Sequence, residues 1–312
     1  MAIQWFPGHM HLTRKAIAER CKSIDVVIEM LDARLPGSSA NPLLAELTAG
    51  KATVKLLNKQ DLADPALTAE WLAHWNAQPG TRALGSDASV PAPARALVTA
   101  ARDLVPLRGG MAKPVRMLIC GVPNVGKSTL INTLAGRRAA KTGDEAGVTK
   151  IEQKIVLADD AYVFDTPGML WPRIGVPESG LLLAASGAVG RNAFDEEVVA
   201  LALLGVLRAR YLAPLLARFK LAAEDVAAMN DEELLGEIGR KRGAVLKGGR
   251  IDRQKAAETV LYELRSGGFG RVTLETPGDY AAWQEAARVA DEEKAAAKEA
   301  ARLARRPQRG VE

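Results

Sequence analysis

Cysteine and long apolar runs are scarce in this 312-residue chain, and each scarcity excludes a class of protein. The two cysteines, Cys21 and Cys120, are far apart, and Cys120 lies in an apolar run typical of a buried strand. We therefore expect no disulfide framework. The longest apolar runs, 181–189 and 198–207, are shorter than the roughly 20 residues of a membrane span. Because the amino terminus also lacks the pattern of a secretory signal, we expect a cytoplasmic protein with no membrane partner.

The charge of the chain is modest overall but unevenly placed. Lys and Arg exceed Asp and Glu by 42 to 37, giving a net charge of +5. Residues 240–255 contain seven Lys or Arg and one acid, and residues 294–309 contain six and one. Such clusters favour an RNA or ribonucleoprotein partner, although solvated helix faces produce the same pattern.

The first 172 residues alternate between short apolar, β-branched runs and segments of helical periodicity. This alternation predicts a doubly wound α/β domain with a mostly parallel sheet. The predicted strands are 25–31, 53–57, 82–84, 115–120, 150–157 and 162–164, the last two joined by a turn at Asp159-Asp160. The predicted helices are 40–49, 65–76, 92–104 and 127–135.

Beyond residue 177 only helical periodicity remains, which predicts an all-α carboxy-terminal domain. Its helices are predicted over 178–189, 195–208, 231–242, 252–265 and 279–306. The resulting domain prediction is an amino-terminal segment and helix (1–22), a nucleotide domain (23–172), a helical RNA- or ribosome-binding domain (173–278) and a basic, Ala-rich helical tail (279–312).

Residues 121–128 match the phosphate-loop pattern G-x-x-x-x-G-K-S, between a predicted strand and a predicted helix. In this motif the backbone N–H groups surround a phosphate, the lysine bridges the β- and γ-phosphates, and the serine hydroxyl binds magnesium. The match predicts a nucleoside triphosphate site. Its nucleotide-binding residues are predicted to be Asn124, Val125, Gly126, Lys127, Ser128 and Thr129, with Ser128 also a magnesium ligand.

The segment Asn58-Lys59-Gln60-Asp61 follows a predicted buried strand and has residue types that recognise guanine. Asp61 can accept hydrogen bonds from the guanine N1–H and exocyclic amine, while Asn58 can address the O6 side. The aliphatic stem of Lys59 can cover the face of the ring. Adenine would present an acceptor nitrogen to Asp61, so the pattern predicts GTP and disfavours a P-loop kinase or ATPase.

The segment Asp165-Thr166-Pro167-Gly168 follows the phosphate loop at the end of a predicted strand. We expect Asp165 to hold magnesium and the Gly168 N–H to face the γ-phosphate, although an ordinary Pro-Gly turn has the same backbone. Thr149 is the candidate switch threonine that closes on magnesium, with a strand-start threonine as the alternative. Ser86 is the ribose-side candidate, and Ser89 is an open alternative.

The order of these motifs is permuted, because the base-reading segment precedes the phosphate loop instead of following it. Met169 occupies the position at which many GTPases carry a glutamine that orients the attacking water. A thioether cannot orient water in this way, so slow intrinsic hydrolysis is expected, with a water-positioning group supplied from elsewhere.

These segments resemble the circularly permuted GTPases of ribosome assembly, of the YlqF/RbgA type. The resemblance covers nearly the whole chain, ending before the tail that follows Glu285. Besides the nucleotide motifs, the segments that carry it are Trp5 to Met10, Asp32 to Pro36, 165–172, Ile238 to Gly243 and Gly248-Gly249.

The resemblance implies a cytoplasmic, magnesium-dependent GTPase that binds a late precursor of the large ribosomal subunit and its rRNA and is released on hydrolysis. It implies His9 as the group that activates the water and Asn124 as a potassium ligand. Considered alone, His9 is more typical of a surface turn and Asn124 of a loop-shaping residue. We expect the free protein to be monomeric, and an RNA-binding scaffold that GTP only stabilises is the alternative function.

Overall fold

The computed structural model describes residues 8–108, 110, 112–136, 153–158 and 160–304. Its strands are β1 (Val26–Asp32), β2 (Ala52–Asn58), β3 (Thr81–Gly85), β4 (Val115–Gly121), β5 (Gln153–Ala158) and β6 (Ala161–Asp165). They form one sheet in the order β3-β2-β1-β4-β6-β5. All neighbouring pairs are parallel except β5 and β6. The predicted α/β fold with a mostly parallel sheet is confirmed.

The centre of the sheet is buried on both faces, as its apolar strands predict. Every residue of β1 is buried, including Glu29 in its middle. Glu29 is opposite Lys55 of β2 in the strand register, and the Lys55 ammonium lies 2.5 Å from its carboxylate. A buried charge needs such a partner, so this pair allows a carboxylate within an otherwise apolar strand.

Helices cover both faces of the sheet. They are α1 (His9–Cys21), α2 (Pro42–Leu47), α3 (Pro65–Asn76), α4 (Pro91–Leu104) and α5 (Lys127–Ala135). Asp64 begins α3 by accepting hydrogen bonds from the backbone N–H groups of Ala66 and Leu67, with Pro65 in the first turn. Cys21 and Cys120 are both buried and form no disulfide.

The second half of the described chain is helical. Its helices are α6 (Pro177–Ser186), α7 (Glu196–Arg210), α8 (Leu212–Phe219), α9 (Ala223–Ala228), α10 (Asp231–Lys241), α11 (Arg253–Ser266) and α12 (Pro277–Ala304). Five match predicted helices, whereas α8 and α9 were not predicted. Within the described ranges, no single helix is both long and apolar enough to cross a membrane, and the apolar pair α7–α8 is bent by 117°.

After α11 the chain returns to the sheet. Residues 271–275, which we call the return segment, run past the carboxyl ends of β1 and β2. The Val272 N–H donates to Leu62 O at 2.9 Å, and the Leu274 N–H donates to Arg34 O at 2.7 Å. The predicted boundary at residue 278 therefore follows a segment that is bonded to the nucleotide domain. Tyr280 of α12 also contacts Trp71 of α3, so the predicted tail begins docked against that domain.

Candidate nucleotide site

The three predicted nucleotide segments meet at one edge of the sheet. The base-reading loop follows β2, the phosphate loop follows β4, and Asp165 ends β6. These strands are parallel and lie within the adjacent run β2-β1-β4-β6. Ligands of open α/β sheets bind outside the carboxyl ends of their strands, so this edge is the expected position of a nucleotide.

The phosphate loop leads into α5 and surrounds the side chain of Lys127, the first residue of that helix. The Lys127 Nζ donates to Gly121 O at 3.2 Å and to Val122 O at 2.8 Å. Burial lowers the pKa of Lys127 to about 8, although Asp165 opposes this shift. Gly126 has φ +103°, and a Cβ there would lie 2.3 Å from Asn58 Nδ2. A side chain is therefore excluded at this turn, which leaves the backbone accessible to a phosphate.

Asp165 is a buried carboxylate, only 1% exposed, on the phosphate side of the site. Neither of its oxygens has a hydrogen-bond partner among the described residues. Burial raises its pKa to about 6, against the attraction of Lys127. Such an unsatisfied carboxylate fits a cation ligand. Ser128, the other predicted magnesium ligand, is the second residue of α5 and directly follows Lys127. Thr149, the predicted switch threonine, lies outside the described residues.

The described residues include no cluster of three or more His, Cys, Asp or Glu side chains that could hold a metal. Magnesium is commonly held by one or two protein groups together with nucleotide phosphates and water, and the buried Asp165 carboxylate is an oxygen ligand of the kind it takes.

The segment after Asp165 is packed against the phosphate loop. A Cβ on Gly168 would lie 2.7 Å from Pro123 Cα and 3.1 Å from Lys127 Nζ, so only glycine fits. Met169 is fully buried in the core. Its N–H donates to Gly121 O at 3.2 Å, and its carbonyl accepts from Asn41 Nδ2 at 2.8 Å. The Met169 side chain is thus part of the hydrophobic core in this structure.

Asn58, in the base-reading loop, makes hydrogen bonds within the protein that were not predicted. The Asn58 Nδ2 donates to Val125 O in the phosphate loop at 2.7 Å, and its Oδ1 accepts from the Ala88 N–H at 2.8 Å. Both ends of this amide bond within the protein, so Asn58 joins three loops, and its contact with the guanine O6 side stays a prediction. Asp61, in contrast, is exposed on a short 3-10 turn, Gln60–Leu62.

Two residues without a predicted role, Asp32 and Arg34, support this loop. Asp32 Oδ2 lies 2.9 Å from Lys59 Nζ, and the Asp32 carboxylate accepts from Arg34 Nε and Nη2 at 2.9 and 2.7 Å. Burial alone would raise the pKa of Asp32, but Arg34 and Lys59 hold it well below its usual value. Lys59, which was predicted to cover the ring, is therefore anchored at its ammonium end.

The two candidate ribose-side serines have different surroundings. Ser86 is fully buried, and its Oγ has no partner among the described residues. Ser89 is exposed, and its Oγ donates to Asp87 at 2.6 Å. Ser89 also lines an open cleft of about 410 Å³ together with Pro91, Thr129, Asn132, Thr133 and Gly136.

The family resemblance implies roles for two residues, Asn124 and His9. Asn124 contacts the helical half of the chain, and His9 lies at the start of the described residues. Asn124, with φ +57°, donates from Nδ2 to Gly187 O at 2.9 Å, directly after α6. Its amide therefore connects the phosphate loop to the helices. His9 is the first residue of α1, and Trp5 and Phe6 lie outside the described residues.

Comparison with known proteins supports the same assignment. Residues 116–230 match the family model of the 50S ribosome-binding GTPase. The chain is 41% identical to ribosome biogenesis GTPase A of Bacillus cereus, over 90% of this chain and 96% of that protein. It is 34% identical to mouse mitochondrial ribosome-associated GTPase 1, over 87% and 90% of the two chains.

Solved structures agree with the sequence comparison. A GDP-bound structure of YlqF from Thermotoga maritima aligns with a TM-score of 0.61 and 26% identity, over 85% of this chain and all of that one. A GNP-bound structure of YlqF gives a TM-score of 0.59. The chain is 41% identical to ribosome biogenesis GTPase A of Bacillus cereus over 90% of its length, and its nucleotide segments meet at the sheet edge. The chain therefore belongs to the ribosome biogenesis GTPase A family.

Proposed function

We propose that this protein is a cytoplasmic GTPase that acts as an assembly factor for the large ribosomal subunit. It binds the precursor particle in the GTP state and leaves after hydrolysis to GDP and phosphate. The observation that supports this most strongly is the unsatisfied, buried Asp165 carboxylate beside Lys127, within a chain 41% identical to ribosome biogenesis GTPase A of a bacterium. The similarity to a bacterial relative supports the cytoplasmic part of the proposal.

In this proposal each part of the site binds a different part of the nucleotide. Backbone N–H groups of residues 124–129 and Lys127 bind the phosphates, and Asp61 reads the guanine edge. Ser128 and Asp165 hold magnesium, with Thr149 as a third ligand when the γ-phosphate is present. The magnesium ion, when bound, neutralises charge on the phosphates. Ser86 lies on the ribose side.

Hydrolysis needs a water-positioning group, because the buried Met169 has no polar atom suited to that role. We propose His9 for it, on the resemblance to the circularly permuted GTPases of ribosome assembly. A potassium ion bound by Asn124 would add positive charge near the phosphates. The hydrogen bond from Asn124 Nδ2 to Gly187 O fixes the direction of that side chain. Comparing turnover in potassium and in sodium tests the potassium requirement.

The helical half supplies the RNA-binding surface in this proposal. Within residues 240–255, the five cations in the loop between α10 and α11 and at its edge are all exposed: Arg240, Lys241, Arg242, Lys247 and Arg250. Clustered exposed cations bind nucleic-acid phosphates. We therefore propose rRNA of the large-subunit precursor as the partner of this surface, with the protein monomeric when free.

The test is GTP turnover measured with and without large ribosomal subunits, in potassium and in sodium. We expect turnover to be slow alone, faster with subunits, and faster in potassium. Particle affinity should be higher with a GTP analogue than with GDP, and equal affinities would favour the GTP-stabilised scaffold. A His9→Ala protein that keeps full subunit-stimulated turnover would exclude the role given to His9.

A further inference from the structure

The end of the helical half is bonded to the loop that carries Asp61. The Arg271 Nε donates to Ala63 O at 2.9 Å, and its Nη2 donates to Gln60 O at 3.0 Å. The neighbouring Val272 N–H donates to Leu62 O at 2.9 Å. Consecutive donors of the return segment therefore bind carbonyls on both sides of Asp61, about 200 residues away along the chain.

A second arginine holds the same loop from inside the protein. Arg34 is 1% exposed and forms a two-pronged pair with Asp32, which also holds Lys59. Burial alone would lower the pKa of Arg34, but Asp32 and, more weakly, Asp61 raise it, so the Asp61 carboxylate is within electrostatic range of this guanidinium. The Arg34 Nη1 donates to Leu264 O at 2.8 Å, in the last turn of α11.

These contacts hold the backbone on both sides of Asp61. Asp61 is an exposed carboxylate on a turn of three residues, and an unsupported turn of this length would allow its side chain to sample many directions. Reading two guanine donors at once requires a fixed direction. Arg271 and Val272, which follow α11, donate to carbonyls of this turn, in addition to the bond that the Gln60 N–H makes to Ser86 O.

We propose that Arg271 and Arg34 are positioning residues of the guanine site, which make guanine recognition depend on docking of the α11 end and the return segment. This inference rests on the proposed GTP site. Because GDP and GTP carry the same base, the coupling acts in both nucleotide states and differs from a switch that senses the γ-phosphate. By linkage, guanine binding must stabilise the docked return segment to the same extent.

The first test compares the affinities of Arg271→Ala and wild-type protein for GDP and for inosine diphosphate. Inosine lacks the exocyclic amine that Asp61 accepts from, so the ratio of the two affinities measures how well Asp61 is aligned. We expect GDP affinity to fall about tenfold in Arg271→Ala, the size of one charge-assisted hydrogen bond, with a smaller loss for inosine diphosphate. A general loss of folded protein would weaken both nucleotides equally and leave the ratio unchanged.

Arg210→Ala is the matched control, because Arg210 pairs with Asp279 near the same segment without a described bond to the base-reading loop. It should keep the wild-type ratio. Arg34→Lys retains the charge but loses the planar fork. It should lower the ratio of GDP affinity to inosine diphosphate affinity, as Arg271→Ala does.

Hydrogen exchange supplies the reciprocal measurement. GDP should slow exchange of the Val272 and Leu274 amides in wild-type and Arg210→Ala protein, and this slowing should be lost in Arg271→Ala. A wild-type ratio and wild-type GDP-induced slowing in both Arg271→Ala and Arg34→Lys would overturn the inference. A wild-type protein that binds ADP as tightly as GDP would instead overturn the proposed guanine site, and the inference with it.

Discussion

The Arg34 guanidinium donates from Nη1 to the backbone carbonyl of Leu264 at 2.8 Å, joining the loop after β1 to the last turn of α11. The next residue, Arg265, donates from Nε and Nη2 to carbonyls at the end of α6, both at 2.9 Å. Directly after α6, Gly187 O accepts from Asn124 of the phosphate loop. One turn of α11 is thus linked to the base side directly and to the phosphate side through α6.

This double attachment bears on how a permuted GTPase can move its helical domain. The short connection from Met169 to Arg173 leads from the segment after Asp165 into the helices, and in the proposed function it is one route for a signal from the γ-phosphate. The contacts of Asn124 and Arg34 add two fixed points at opposite ends of the nucleotide site. We infer that a movement of α6 and α11 as one unit would change both ends of the site together.

Replacing Asp61 with Asn should change the base preference from guanine to xanthine. Asp61 offers only acceptors, which match the N1–H and exocyclic amine of guanine. The Asn amide offers one acceptor and one donor, which match the N1–H and 2-oxo groups of xanthine. We expect Asp61→Asn to bind GDP at least about 100-fold more weakly, because the exocyclic amine of guanine would face a donor instead of an acceptor, and to gain affinity for xanthosine diphosphate.

Competition with a labelled nucleotide measures both affinities of the Asp61→Asn protein. Because Asp61 is exposed, the Asp61→Asn protein should fold like the wild type, so a loss of GDP binding would reflect base recognition. An unchanged preference for GDP would show that a different residue reads the base.

Replacing Asn58 with Ala should weaken binding of every nucleotide to a similar degree. Its amide joins Val125 O to the Ala88 N–H, so its loss leaves two buried backbone groups without partners. We expect a loss of about 1–3 kcal/mol in the free energy of unfolding and weaker binding of GDP and inosine diphosphate alike. Chemical denaturation and calorimetry measure the two effects. A selective loss for guanine would mean that Asn58 reads the base directly.

The phosphate loop and the sheet could be predicted from sequence because their signals are local. An apolar run before Gly121 and helical periodicity after Lys127 determine strand and helix within a few residues of each motif. The start of α10 was likewise predictable, because Asn230 and Glu233 form a capping box. Local hydrogen bonding and hydrophobic periodicity act over the same short distances that such patterns measure.

The contacts that position Asp61 could not be predicted in this way. Arg34 and Arg271 bind carbonyls 230 and 211 residues distant, and no local periodicity encodes such a pairing. The bonds of Asn58 to Val125 and Ala88 were not predictable for a related reason, because an amide can bond to a base or to neighbouring loops with the same groups. The helix α8 was missed because a sharp bend at Tyr211 interrupts the apolar pattern that continues from α7.

Magnesium-dependent nucleotide binding should weaken as the pH falls through about 6. The pKa of Asp165 is raised from 3.8 to about 6, chiefly by burial, so a proton competes with the cation for this carboxylate within that range. We expect the gain in GTP-analogue affinity on adding magnesium to be full near pH 8 and largely lost near pH 5. Asp165→Asn should show a small gain with little pH dependence between these values. A wild-type gain that is constant from pH 5 to 8 would exclude Asp165 as a ligand.

Glu275 of the return segment is fully buried. Its carboxylate accepts from the Ser38 N–H at 2.8 Å and from the Ser38 hydroxyl, which lies 2.9 Å from Ser179 Oγ of α6. Burial raises the pKa of Glu275 from 4.5 to about 7, against the effect of the Ser38 hydrogen bonds. The folded protein therefore binds a proton more tightly here than the unfolded chain does.

A raised pKa in the folded state stabilises the fold at low pH, and this contribution is lost as the pH rises from about 4.5 through 7. Glu275→Gln cannot ionise, so its free energy of unfolding should gain on the order of 2 kcal/mol relative to wild type between pH 5 and pH 8. Urea denaturation at several pH values measures this difference. Glu285→Gln, at an exposed position, is the control and should follow the wild-type profile. Parallel profiles for Glu275→Gln and wild type would mean that Glu275 stays ionised in the fold, with its charge balanced by the Ser38 hydrogen bonds.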